Sequence, residues 1–168
     1  MNLHRLISPE LVRLQLETPV PEPVEGEEAL RPAAIRDFKE DVLGEIAEMF
    51  ASAGRVGHVG KLHRDLINRE RRASTAVGRG VAFPHVRSQQ AKEMLLGILR
   101  APEGVPFESP DGEPVRLIVA MVAPPGDDRL YLNLVRRFSV MLSGDAALPE
   151  LLAAADEHEL IRVLESYL

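Results

Sequence analysis

The chain contains no cysteine in its 168 residues. Disulfides, thiolate catalysis and cysteine-ligated zinc are therefore excluded. It also lacks a long apolar run. The longest strongly apolar stretch, Leu117 to Ala123, is far too short to span a bilayer. The first ten residues lack the apolar core of a signal peptide. Net positive charge is missing too: the formal net charge is −6, which makes nucleic acid and anionic membrane poor default partners. What remains is ordinary for a globular domain. Hydrophobic residues make up 45%, enough to bury a core in one compact domain over 1–168. These features together predict a protein of the cytoplasm without membrane insertion.

Pattern supplies a coarse map. Ser8-Pro9-Glu10 reads as a helix start, and Val12, Leu14 and Leu16 alternate with polar residues as in a half-buried strand. Residues 18–34 carry four prolines and four glutamates and read as a mobile acidic loop. Ile35, Phe38, Val42, Ile46, Met49, Phe50 and Ala53 recur at helical spacing before Gly54, predicting a helix over 35–53. A second helix is expected at about 58–71. Strands are expected at about 80–84, 94–100 and 115–123, the last apolar on both faces like a covered central strand. Asp127 or Asp128 can cap a helix whose inner face is Tyr131, Leu134, Val135, Phe138, Met141 and Leu142. Asp156 with Glu159 can cap a last one. The mixture predicts an α/β (α+β) architecture: a mixed sheet of about five strands with helices on both faces.

The most informative segment is Val81-Ala82-Phe83-Pro84-His85, preceded by the glycine-flanked loop Ser74 to Gly80. Proline cannot donate a ladder hydrogen bond, so it ends or edges a strand. His85 is then expected at a strand end on a stiff backbone. Its imidazole, neutral near pH 7, is a competent nucleophile. Other histidines offer less. His58 and His63 are five apart and share a helix face poorly, so a metal site there is not expected. Gly78-Arg79-Gly80 lacks the Gly-Lys-Ser/Thr of a nucleotide-binding loop. The run Arg69-Glu70-Arg71-Arg72 reads by default as a solvated helix face. Tyr131 fits a packed core position as well as a ligand position.

Several landmarks in order resemble one family. They are Arg69-Glu70, Ser74-Thr75, Gly80-Val81-Ala82-Phe83-Pro84-His85, Asp111-Gly112-Glu113-Pro114-Val115 and the helix opening at Tyr131-Leu132-Asn133-Leu134. The sequence is similar to the enzyme IIA domains of the bacterial phosphotransferase system, fructose/mannitol type, in the nitrogen-regulatory branch. The resemblance covers about residues 1–17 and 35–168. It implies a phosphotransferase/anion-transport-like fold and a phosphocarrier. His85 would accept a phosphoryl group from an HPr-like protein. It would pass the group to a IIB domain, or its phosphorylation state would signal to a regulatory target. Arg69 would stabilise phosphate, with Thr75 in support. No metal or organic cofactor is implied, and no IIB or IIC domain is expected on this chain. Two positions depart from the family pattern: Tyr131 stands where a second histidine is usual, and Val86 where a glycine is usual. They keep a second reading open, a degenerate IIA-like module that binds and regulates a partner without carrying phosphate.

Overall fold

The computed structural model describes residues 2–126 and 128–168. Asp127, one of the two expected caps, lies outside them. Two central strands organise the molecule: β5, Leu95–Val105, and β6, Val115–Ala123. They run antiparallel, with Gly97 opposite Ala120. Four short strands complete the sheet: β1 Val12–Arg13, β2 Ala76–Gly78, β3 Val81–Ala82 and β4 His85–Arg87. The path is β1-β5-β6-β3-β2, with β4 also on β6. This six-stranded mixed sheet agrees in class with the expectation from sequence and has one strand more.

The helices are α1 Pro32–Ser52, α2 Val59–Arg72, α3 Asp128–Ser143, α4 Ala147–Ala153 and α5 Glu157–Tyr167. They cover both faces, as side-chain alternation along β6 shows. A Cβ on Gly97 would run into Met49 and Phe50 of α1, so α1 lies on the face that Gly97 shares with its partner Ala120. The next residue, Met121, points the other way and pairs with His85. On that side the ring of Phe83 meets Phe138 of α3, with centroids 5.4 Å apart. None of the helices described is long and apolar enough to cross a membrane.

Differences from the sequence map have local causes. Ser8-Pro9-Glu10 opens only a 3-10 turn, Pro9–Leu11, because the chain enters β1 at once. The strand expected from Val12 to Leu16 pairs over two residues only. Beyond them it is linked to β5 by the Leu16 N–H donating to the Arg100 carbonyl at 2.7 Å and by Arg100 Nε donating to the Leu14 carbonyl at 3.2 Å. Residues 18–31 form the expected loop. Its root is tied down, because the carboxylate of Glu45 accepts from the Glu17 and Thr18 N–H groups and the Thr18 hydroxyl. At the other end, Asp156 accepts from the Glu159 N–H at 2.8 Å, and Glu159 accepts from the Ala155 N–H at 2.6 Å. That is the expected capping device, with the return bond one residue further back.

Candidate functional site

Pro84 explains the geometry around His85. β3 and β4 pair with β6 in parallel and keep one register across the proline: Val81 and Ala82 face Leu117 and Ile118, and His85 faces Met121. They are one strand interrupted where no N–H is available, flanked by β2 before the proline and paired only with β6 after it. The Pro84 carbonyl still accepts from the Met121 N–H at 2.9 Å. His85 therefore starts the second half of a strand instead of ending the first. Alternation puts Phe83, His85 and Arg87 on one face. The rings of Phe83 and His85 stack with centroids 5.0 Å apart.

The Phe83 carbonyl lies 2.7 Å from His85 Nδ1. A carbonyl only accepts, so Nδ1 carries the proton and Nε2 keeps its lone pair. Nε2 faces an open hollow of about 500 Å³ lined by Asp65, Asn68, Arg69, Arg72, Val86, Arg87 and Tyr131. Burial pushes the His85 pKa below its usual value. The nearby Arg69 charge adds to that, and the hydrogen bond to Phe83 opposes it.

Arg69 comes from the last turn of α2, where cations suit the helix dipole. Its Nη1 donates to the Ala73 carbonyl at 3.1 Å, and its Nη2 lies 3.4 Å from His85 Nε2. Tyr131 enters from the first turn of α3, its ring centroid 6.1 Å from that of His85. The ring is half-buried, and burial raises its phenol pKa. The structure thus brings His85, Arg69 and Tyr131 together.

Thr75 is not among them. It is buried, its hydroxyl donates to Glu70 Oε2 at 2.5 Å, and its N–H donates to the same carboxylate. Glu70 in turn pairs with the buried Lys39 at 2.7 Å. Thr75 touches the site only through its backbone: its carbonyl accepts from the Phe83 N–H at 2.9 Å. Val86 poses no backbone conflict. It sits in extended β4 opposite Val122, where β-branched residues are well suited.

Sequence reasoning missed Arg87. Its guanidinium lies 4.6 Å from the centroid of the Tyr131 ring and 2.9 Å from the Asp128 carboxylate. The signal was available in the period of two from His85. Two other histidines serve elsewhere: His58 caps α2 by accepting from the Lys61 N–H, and His63 Nε2 meets the Glu40 carbonyl at 2.7 Å. The Gly78-Arg79-Gly80 loop is a tight turn with all three residues at positive φ. It is clasped by Asp111, which accepts from the Arg79 N–H at 2.7 Å.

Comparison with known proteins identifies the family. The family model described as "Phosphoenolpyruvate-dependent sugar phosphotransferase system, EIIA 2" matches residues 29–167. A nitrogen regulatory protein of Bradyrhizobium diazoefficiens is 30% identical over 141 residues, 82% of this chain and 89% of that protein. The fructose-specific EIIABC component of Bacillus subtilis is 28% identical over 129 residues. That match takes in 77% of this chain but only 20% of the larger protein. Among solved structures, the nitrogen regulatory protein IIA-Ntr of Neisseria meningitidis superposes with a TM-score of 0.80 at 21% identity, covering 98% of this chain and 99% of that one. The chain belongs to the EIIA 2 family of the phosphoenolpyruvate-dependent sugar phosphotransferase system.

Proposed function

We propose that this chain, acting as one unit over 1–168, is a phosphocarrier whose acceptor atom is His85 Nε2. The observation that carries the reading is the state of that ring. Its Nδ1–H is committed to the Phe83 carbonyl, and its other nitrogen faces the hollow with Arg69 beside it. In the transfer, the Nε2 lone pair forms a bond to phosphorus as the phosphorus–nitrogen bond of a donor phosphohistidine breaks. The donor imidazole leaves with the electron pair of that bond. The His85 proton stays on Nδ1, so no separate base is required. The ring gains positive character, and the Phe83 carbonyl stabilises it through that N–H. Arg69 exchanges its contact with Nε2 for a phosphate oxygen.

An HPr-like protein is the donor in this reading. The onward partner is a IIB domain or a regulatory target. The family includes both nitrogen regulatory proteins and sugar-specific EIIA components, each matched along most of its length, and the higher identity to the nitrogen regulatory protein, 30% against 25%, favours the regulatory role. A relay beginning at phosphoenolpyruvate runs in the cytoplasm, so that is where we expect it to act. The alternative of an interaction module without phosphotransfer is less favoured, since it gives no reason for a fixed tautomer beside an arginine.

The test is incubation with phosphoenolpyruvate and the upstream phosphotransfer proteins. The chain should gain the mass of one phosphoryl group, acid-labile and absent from His85→Ala. A wild-type chain that stays unmodified beside a working relay would sink the reading.

A further inference from the structure

We propose that Arg87 is a second phosphate-binding cation of the His85 site, parked over the Tyr131 ring until phosphate arrives. The inference rests on the reading of His85 as phosphoryl acceptor. A phosphoryl group brings about −1.5 to −2 charge and three acceptor oxygens. Arg69 alone answers that poorly. Half of its fork already serves the Ala73 carbonyl, leaving Nη2 as the group beside Nε2. A further donor has to come from the same hollow.

Arg87 meets the requirement by construction. It stands two residues beyond His85 on β4, so the pleat aims both side chains at one face, while Val86 between them is buried. Its guanidinium is held by two weak partners. One is the face of Tyr131, at 4.6 Å from the centroid. The other is Asp128, at 2.9 Å. The Arg87 and Asp128 side chains are 42% and 64% exposed, so solvent screens their attraction and the pair is readily exchanged for a dianion. Tyr131 then has two tasks. Its ring keeps the guanidinium near His85, and its protonated phenol can donate to a phosphate oxygen. Arg72 lines the hollow as well, but among the described residues no side chain holds its guanidinium in place.

The experiment compares wild type, Arg87→Gln and Arg87→Lys in single-turnover phosphorylation by a phosphorylated HPr-like donor. Melting temperatures are recorded alongside to establish that the variants fold. Loss of a charge-assisted hydrogen bond to phosphate predicts a drop of about 10- to 100-fold for Arg87→Gln. Arg87→Lys keeps the charge without the fork and should fall between the two. An Arg87→Gln rate within about twofold of a phosphorylated wild type overturns the inference and leaves His85 as acceptor, since a charged hydrogen bond is worth more than that. So does equal impairment of the Gln and Lys variants, which would make the role one of shape and not charge. A wild type that accepts no phosphate removes both readings together.

Discussion

At His85 opposing influences pull on one ring. Burial and the Arg69 charge disfavour the imidazolium, and the hydrogen bond to Phe83 favours it. Burial is the largest, so the folded pKa lies below the unfolded value of about 6.5. Phosphoryl acceptance needs the neutral ring. The single-turnover rate should therefore hold level through pH 7 and fall on acidification with a midpoint below about 6.5. A midpoint above that value would contradict the burial argument. The stability sign follows from the same shift. The unfolded chain takes up the proton first, so this histidine subtracts stability as pH drops below about 6.5, until the folded ring also protonates. Neighbouring residues show why such detail was only partly legible. The run Arg69-Glu70-Arg71-Arg72 read as a solvated face, yet its members part company. Arg69 and Arg72 line the hollow, Glu70 is buried against Lys39 and Thr75, and Arg71 pairs with Glu40. Charge along a helix predicts solvation only where no second element closes over one side. Here α1, which carries Lys39, closes over Glu70.

At the level of elements, that closure joins the two halves of the site. The Glu70 carboxylate fastens the end of α2 to Thr75 at the entry to β2. The Thr75 carbonyl then holds Phe83, whose own carbonyl holds His85. Arg69 sits one residue before Glu70, so both partners of the hollow depend on the same fastening. Lys39 neutralises it from α1 with almost no solvent access. Replacing Lys39 by Met keeps much of the volume but strands a buried carboxylate. A loss of roughly 3–5 kcal/mol is expected, as for other broken buried pairs. Urea titration of Lys39→Met would check it, and a loss under about 1 kcal/mol would mean the pair behaves as a surface bridge does. Periodic elements were readable without coordinates: α1, α3 and the β6 strand at Val115–Ala123 stand close to where pattern put them. Short ones were not. α4 has seven residues and no side-chain cap, and β2 owes its place to antiparallel pairing with β3, the strand that pattern did place at about 80–84. Thr75 was drawn toward the site by its position in the chain, while the buried carboxylate that claims its hydroxyl comes from another element.

For the molecule as a whole, net charge and site charge have opposite signs. The chain carries −6, with a concentration of glutamates in the 18–31 loop, while Arg69, Arg72 and Arg87 converge on the hollow. In the proposed role, a donor that presents a phosphoryl group meets a chain of net negative charge and, at the hollow, three arginines against one aspartate. Such focusing raises encounter rates at the site and discourages misplaced docking. It also reverses on success, because a phosphoryl group on His85 cancels up to about two of the converging positive charges. The phosphorylated protein then holds an anionic donor less well, which favours release of the spent complex. Exposed charges are screened within about 10 Å at 0.1 M salt, so the attraction has to fade as salt rises. The second-order rate of phosphorylation should fall about tenfold or more between low and high ionic strength. Arg72→Gln should lower the low-salt rate and flatten the slope while leaving the rate of the bound complex nearly unchanged, since Arg72 acts on approach. A stopped-flow series in potassium chloride with wild type and Arg72→Gln would measure both slopes. Parallel slopes would mean that the rim does not steer, and that recognition rests on contacts made after docking.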